Sequence, residues 1–153
     1  MSSNHSLSAL SPSQWLQGAS WLLPLRWVTG WLYFSAFWRR VALAPAKLDP
    51  DSAAYLGIKF NAFMPNALFI DGLIEHLVLN PDLLYANMVV FTVIEGLVGL
   101  ALMLGLATRL AGLGTALLAL GILLGAGWLG TTCLDEWQIG VAGIATGLTV
   151  VFS

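Results

Sequence analysis

Four apolar runs divide the chain, separated by shorter stretches where polar residues gather. They cover residues 18–38, 84–106, 107–129 and 137–153. A helix that crosses a bilayer needs about 20 mostly apolar residues. The pattern therefore predicts an all-α membrane protein, a four-transmembrane-helix bundle. The link between the first two runs, residues 39–83, is long. Within it NALFIDGLIEHLVL, residues 66–79, predicts a short helix. That segment is too short to span, so it reads as interfacial or re-entrant. The second link, at GLATR, is tight. The third is GTTCLDEWQIG, residues 130–140. Four spans put the long first link and the third link on one side of the membrane, here called the loop face. Residues 1–17 form a polar tail, and 18–153 a single membrane domain.

Composition sharpens this reading. Of 153 residues, 58% are hydrophobic and 9% charged, where a soluble domain has about a quarter charged. The net charge of -2 suggests neither nucleic acid nor a polybasic lipid contact. The tail holds no Lys or Arg, so it lacks the charged start of a cleaved signal and the first run reads as a retained anchor. Trp38, Tyr85, Trp128 and Trp137 fall at the loop face, as in an aromatic belt. Gly121 with Gly125, and Gly143 with Gly147 and Gly140, form small-residue faces. In lipid such faces let helix backbones approach closely; they are also compatible with a homodimer.

Charge within the runs is the next signal. Arg26 lies in the first and Glu95 in the middle of the second. An ionised group at that depth costs about 3 kcal/mol unless paired, so an Arg26–Glu95 ion pair is expected. It either fixes helix register or serves a proton or quinone site. Arg26, Tyr33 and Arg40 recur at seven-residue steps and share one helix face, with Phe37 close by. That stripe is either a polar approach from the loop face or one hydrated side of a bundle.

The third link gathers the remaining chemistry. Asp135 followed by Gln138 fits a capping box at the start of the last helix. Cys133 is the single cysteine. It forms no internal disulfide, CxxC pair or cysteine metal cluster, and reads either as a small buried hydrophobe or as a thiolate nucleophile. His76 stands alone in the predicted short helix. No glycine-rich phosphate loop or nucleophile elbow is present, and no metal or flavin motif is found. Arg39, Arg40, Lys47 and Lys59 give the loop face most of the cations, which favours a cytoplasmic loop face. On an outer face, the same arginines would suit oxyanion recognition.

Three stretches carry a resemblance: FWRRVALAPAKLDPDSAAYLGIKFNAFMP, FTVIEGLVGLALMLGLATRLAGL and GILLGAGWLGTTCLDEWQIGVAGI. From about Leu25 onward the chain resembles the DoxD family, the membrane subunit or domain of thiosulfate:quinone oxidoreductase, among the wider DoxX-like four-helix proteins. The resemblance implies a prokaryotic plasma-membrane enzyme of sulfur metabolism. It would oxidise two thiosulfates to tetrathionate and pass the electrons to a membrane quinone as co-substrate, with a DoxA-type subunit as partner. On that footing Arg39, Arg40, Lys59, Asn61 and Arg26 are the candidate thiosulfate-binding residues. Glu95, Asp135 and Glu136 are the candidate proton carriers, and Cys133 the candidate carrier of a sulfur adduct. Trp31, Tyr33, Trp128 and Trp137 are the candidate quinone-stacking aromatics. The competing readings are a non-catalytic anchor or quinone-docking subunit and a small-anion carrier; the absence of an inverted repeat makes the carrier the weakest of them.

Overall fold

A computed structural model describes residues 22–127 and 136–153, with the side chains of Glu136 and Trp137 excepted. Trp128, Cys133 and Asp135 thus lie outside the described residues, as do the side chains of Glu136 and Trp137. Every regular element among the described residues is helical. Helix α1 is Leu23–Trp38, continued by a wider π-helical turn at Arg39–Leu43. The long link then holds a 3-10 turn at Pro45–Lys47, helix α2 (Ile58–Phe63), another 3-10 turn at Met64–Asn66 and helix α3 (Asp71–Leu79). Helices α4 (Pro81–Leu104), α5 (Thr108–Ala126) and α6 (Glu136–Phe152) follow.

Local chemistry sets these ends. Pro81 opens α4 at a position where its missing N–H costs nothing. Gly105 closes α4 in the left-handed region, φ 74°, and the Leu106 N–H returns to the Ala101 carbonyl at 2.9 Å. Only residues 105–107 separate α4 from α5, so the second link is as tight as expected. Helices α4 and α5, of 24 and 19 residues, are long and apolar enough to cross a membrane. Helix α6, at 17 residues, is as long as the run 137–153 that predicted it, and α1 holds 16 of the described residues of the first run. Trp27, Trp31, Leu97 and Leu110 are more than half exposed, whereas Thr29, Thr92, Glu95 and Thr115 are buried. Large apolar side chains thus face outward while these four polar ones are enclosed within an otherwise apolar interior.

The helices pack as two antiparallel pairs, α1 with α4 and α5 with α6. Small residues line both seams. A Cβ on Gly30 would lie 2.7 Å from the Gly99 carbonyl oxygen, and one on Gly99 2.5 Å from the Phe34 nitrogen. In the second seam a Cβ on Gly112 would come within 2.9 Å of the Gly147 oxygen. Gly140 and Gly143 pack on Ala119, as the glycine face of α6 predicted. The face expected on α5 needs correction. Gly121 meets nothing within 4 Å and Gly125 touches only Ile70 and Ile74 of the link. Helix α5 turns its other small stripe, Gly112, Ala116 and Ala119, toward α6.

The long link folds into a cap. Leu77 of α3 packs with Leu84 and Met88 of α4, and Leu48, Tyr55, Leu56 and Phe60 close around them. Burial, and then nearby Tyr85, push the Tyr55 hydroxyl above its ordinary pKa. Helix α3 starts at Asp71, five residues later than 66–79 predicted, because the chain first docks on the end of α5. The Leu68 N–H donates to the Leu124 carbonyl at 2.7 Å. Gly127, at φ 54° and ψ -154°, lies where a side chain would overlap the Asn66 carbonyl. That backbone region is essentially glycine's alone.

Candidate functional site

The seven-residue stripe of α1 does face the bundle, and it organises the interior. Thr29, Gly30 and Tyr33 are the buried residues of α1. Opposite them α4 buries Thr92, Glu95, Gly96 and Gly99. The two stripes run antiparallel. Gly30 lies against Gly99, and the Phe37 ring lies against Gly96.

That register decides which charges meet. Glu95 pairs with Arg40, whose Nη1 also donates to Thr92 Oγ1 at 3.3 Å. The exposures of the paired side chains are 16% for Arg40 and 4% for Glu95. The expected Arg26–Glu95 pair does not form. Arg26 is 14 residues, about 21 Å, from Arg40 along a helix. It reaches the far end of α4, where Nη2 donates to the Leu102 carbonyl at 3.4 Å and lies beside Gly105. Depth reckoned from the ends of the apolar runs misplaced both charges. The two helices do not end level: Glu95 lies 14 residues past the start of α4 at Pro81, whereas Arg40 is three residues short of Leu43, so α4 runs well beyond α1 and Arg40 rather than Arg26 comes level with Glu95.

Tyr33 joins the two helix pairs. It is buried, its hydroxyl donates to the Thr115 carbonyl of α5 at 3.4 Å, and the missing side chain of Gly143 leaves it room. The interior thus holds Arg40, Glu95 and Thr92 as one cluster, with Tyr33 in the same stripe one heptad from Arg40. Sequence reasoning missed Thr92. Its signal was present: Thr92 precedes Glu95 by three residues and shares its helix face.

The other candidates are dispersed. Arg39 is exposed at the start of the π turn. Lys59 and Asn61 are exposed on α2. Trp31 is 59% exposed and points away from the bundle, on the side of α1 opposite Tyr33. Trp38 and Tyr85 are both exposed but stand at different levels, since Phe37 lies against Gly96, 11 residues along α4 from Tyr85. Glu136 opens α6 and Gln138 stands in its first turn. Among the described residues no cluster of three or more His, Cys, Asp or Glu could hold a metal ion.

The arrangement can do two things chemically. A guanidinium against a carboxylate keeps a charge pair stable in a low-dielectric interior. The carboxylate is also the one buried acid among the described residues that could exchange a proton there. The model of the family described as TQO small subunit DoxD matches residues 21–153. No solved structure matches the chain.

Proposed function

Because the chain belongs to the DoxD family, the small subunits of thiosulfate:quinone oxidoreductase, we propose that it is a working half of that enzyme. In this reading α1, α4, α5 and α6 cross a prokaryotic plasma membrane four times, and a DoxA-type subunit completes the complex. Two thiosulfates each lose one electron and join through a new S–S bond as tetrathionate. A membrane quinone takes the two electrons and two protons and becomes the quinol.

The Arg40–Glu95 pair carries the proposal. A membrane subunit that only anchored a partner would have no need of a charged pair at this depth, where ionised groups are costly. Arg39 and Arg40 lie at the loop-face end of α1 and supply positive charge to a dianion approaching from that side. Glu95, with Asp135 and Glu136, supplies protons to the quinone. Where Cys133 carries sulfur, its thiolate and one thiosulfate give two electrons to the quinone as their S–S bond forms, and the second thiosulfate then displaces the thiolate and leaves as tetrathionate. Trp31, Trp128 and Trp137 offer surfaces on which a quinone ring stacks.

One observation favours the anchor reading. Nη1 of Arg40 already serves both Glu95 and Thr92, so the pair could act only to hold α1 and α4 in register. The deciding experiment is thiosulfate-dependent reduction of a short-chain quinone by the purified chain in detergent, with and without a DoxA-type partner. Wild type is compared with Glu95→Gln, Arg39→Ala and Cys133→Ser, with folding followed by size exclusion. A folded Glu95→Gln chain whose turnover falls at least tenfold supports the enzyme. Full turnover in Glu95→Gln leaves the pair a purely structural role, and no turnover with either preparation of wild type sinks the enzymatic reading.

A further inference from the structure

Phe69 combines two features that conflict within the chain. Its side chain is 94% exposed, and its backbone lies in the left-handed region at φ 64°. A bulky residue is rare there, because its Cβ crowds the following carbonyl oxygen. Glycine or asparagine would take the same turn with less strain. Packing within the chain does not offset that strain, since the ring touches almost none of it. A large apolar side chain held this way gains only from something outside the chain. We propose that Phe69 inserts into the hydrocarbon of the bilayer and anchors the cap to the membrane. The inference rests on the reading that α5 crosses the bilayer.

The place of Phe69 on the molecule identifies lipid as what covers it. Helix α5 turns Leu110, Leu113, Leu117 and Leu120 outward, all of them exposed. Gly121 continues that face, with nothing within 4 Å of it. Leu124 follows Leu117 by seven residues and Leu120 by four, so it belongs to the same face. The Leu68 N–H docks on the Leu124 carbonyl. The Leu68–Phe69 corner therefore stands at the loop-face end of the apolar stripe that a spanning α5 presents to lipid. Leu68 and Leu73, both exposed, widen the apolar surface around the ring.

Depth agrees. Arg109, exposed in the first turn of α5, marks one edge of the membrane. Leu124 lies about 22 Å farther along the helix at 1.5 Å per residue, within a hydrocarbon core of about 30 Å. Asp71, exposed two residues after Phe69, returns the chain to the aqueous side. Phe69 is thereby confined to the outer part of the hydrocarbon. A ring without polar atoms suits that layer, whereas Trp and Tyr, with an N–H or O–H to satisfy, belong nearer the headgroups.

The test uses the full chain on a Cys133→Ser background in phosphatidylethanolamine–phosphatidylglycerol nanodiscs, with folding checked by size exclusion. A nitroxide is attached through Phe69→Cys, Leu117→Cys or Asp51→Cys. Its power saturation is measured with oxygen, which concentrates in lipid, and with a nickel chelate, which stays in water. The native side chains at all three positions are exposed, so the labels do not threaten folding. The oxygen-to-nickel accessibility ratio at position 69 should exceed that at position 51 at least fivefold and fall below that at position 117. A label at position 69 that favours nickel lies in water, and one shielded from both reagents is covered by protein, a second copy or a partner subunit; either result overturns the anchor. A label at position 117 that favours nickel sinks the spanning reading of α5 and the anchor with it, whereas lipid at position 117 beside water at position 69 sinks the anchor alone. A nitroxide itself favours apolar surroundings, so a second reporter reads the native ring. With the label moved to Leu73→Cys, Phe69→Ser should raise nickel accessibility at least threefold, and Phe69→Leu should leave it unchanged. A label at position 73 indifferent to Phe69→Ser overturns the anchor.

Discussion

Arg26 and Arg40 leave the same face of α1, two heptads apart, and meet opposite parts of α4. Arg40 finds a full negative charge in Glu95 and a hydroxyl in Thr92. Arg26 finds main chain at the end of the helix, the Leu102 carbonyl and the turn at Gly105, and its Nε is buried without a partner among the described residues. A helix C-terminus carries about half a negative charge, spread over its last carbonyls. One arginine is therefore bound into the interior, and the other closes a helix end. Residue type and helix face are shared; the antiparallel register alone separates a candidate reactive group from a structural one.

The strongest way to break this contrast is at Arg40. Arg40→Ala strands a buried carboxylate, and removing one partner of a buried pair costs about 3–5 kcal/mol. Thermal unfolding in detergent should show a large drop or loss of folded protein. The double variant Arg40→Gln with Glu95→Gln removes both charges and should recover most of that stability without recovering turnover. Recovery of both would reduce the pair to a spacer. The seam between the two arginines should respond next. Gly99→Ala puts a methyl group 2.5 Å from the Phe34 nitrogen and should cost about 1–3 kcal/mol by overpacking. Gly121→Ala, with open space around it, should be neutral or gain up to about 1 kcal/mol of helix stability. Equal effects at the two glycines would mean that α1 and α4 do not approach as closely as described. Arg26→Gln should cost less than either Arg40→Ala or Gly99→Ala, about 1 kcal/mol for a lost helix-end charge, and turnover per folded molecule should hold. A collapse of turnover in Arg26→Gln, with folding intact, would erase the distinction between the two arginines.

Much of this organisation was legible in the residues. The apolar runs located the four longest helices among the described residues, and the seven-residue spacing of Arg26, Tyr33 and Arg40 identified the inward stripe of α1. Pairing was not legible, because periodicity orients a helix face without giving its register against a neighbour. The start of α4 stands far beyond the end of α1, so depth counted from the two helix ends exchanged one arginine for the other. On α5 two small-residue stripes compete, Gly121–Gly125 and Gly112–Ala116–Ala119, and local spacing cannot rank them; contact with α6 does. The cap was hidden for another reason. Leu48, Tyr55, Leu56 and Phe60 show no sustained period, since they belong to short turns that gather around Leu84 and Met88. Cys133 and Asp135, on which much of the third link's chemistry rests, lie outside the described residues.

The unequal lengths of α4 and α5 bear on the lipid this protein prefers. At 1.5 Å per residue they measure about 36 and 28 Å, against a hydrocarbon core of about 30 Å. The surplus of α4 is its first turns, already wrapped by the cap, so α5 is the helix whose length must match the acyl chains. Longer acyl chains would press first on the Leu68–Leu124 junction, well before they reached the glycine seams. Lipid chain length is thus a dial that acts on the rim of the molecule and leaves its interior charges alone.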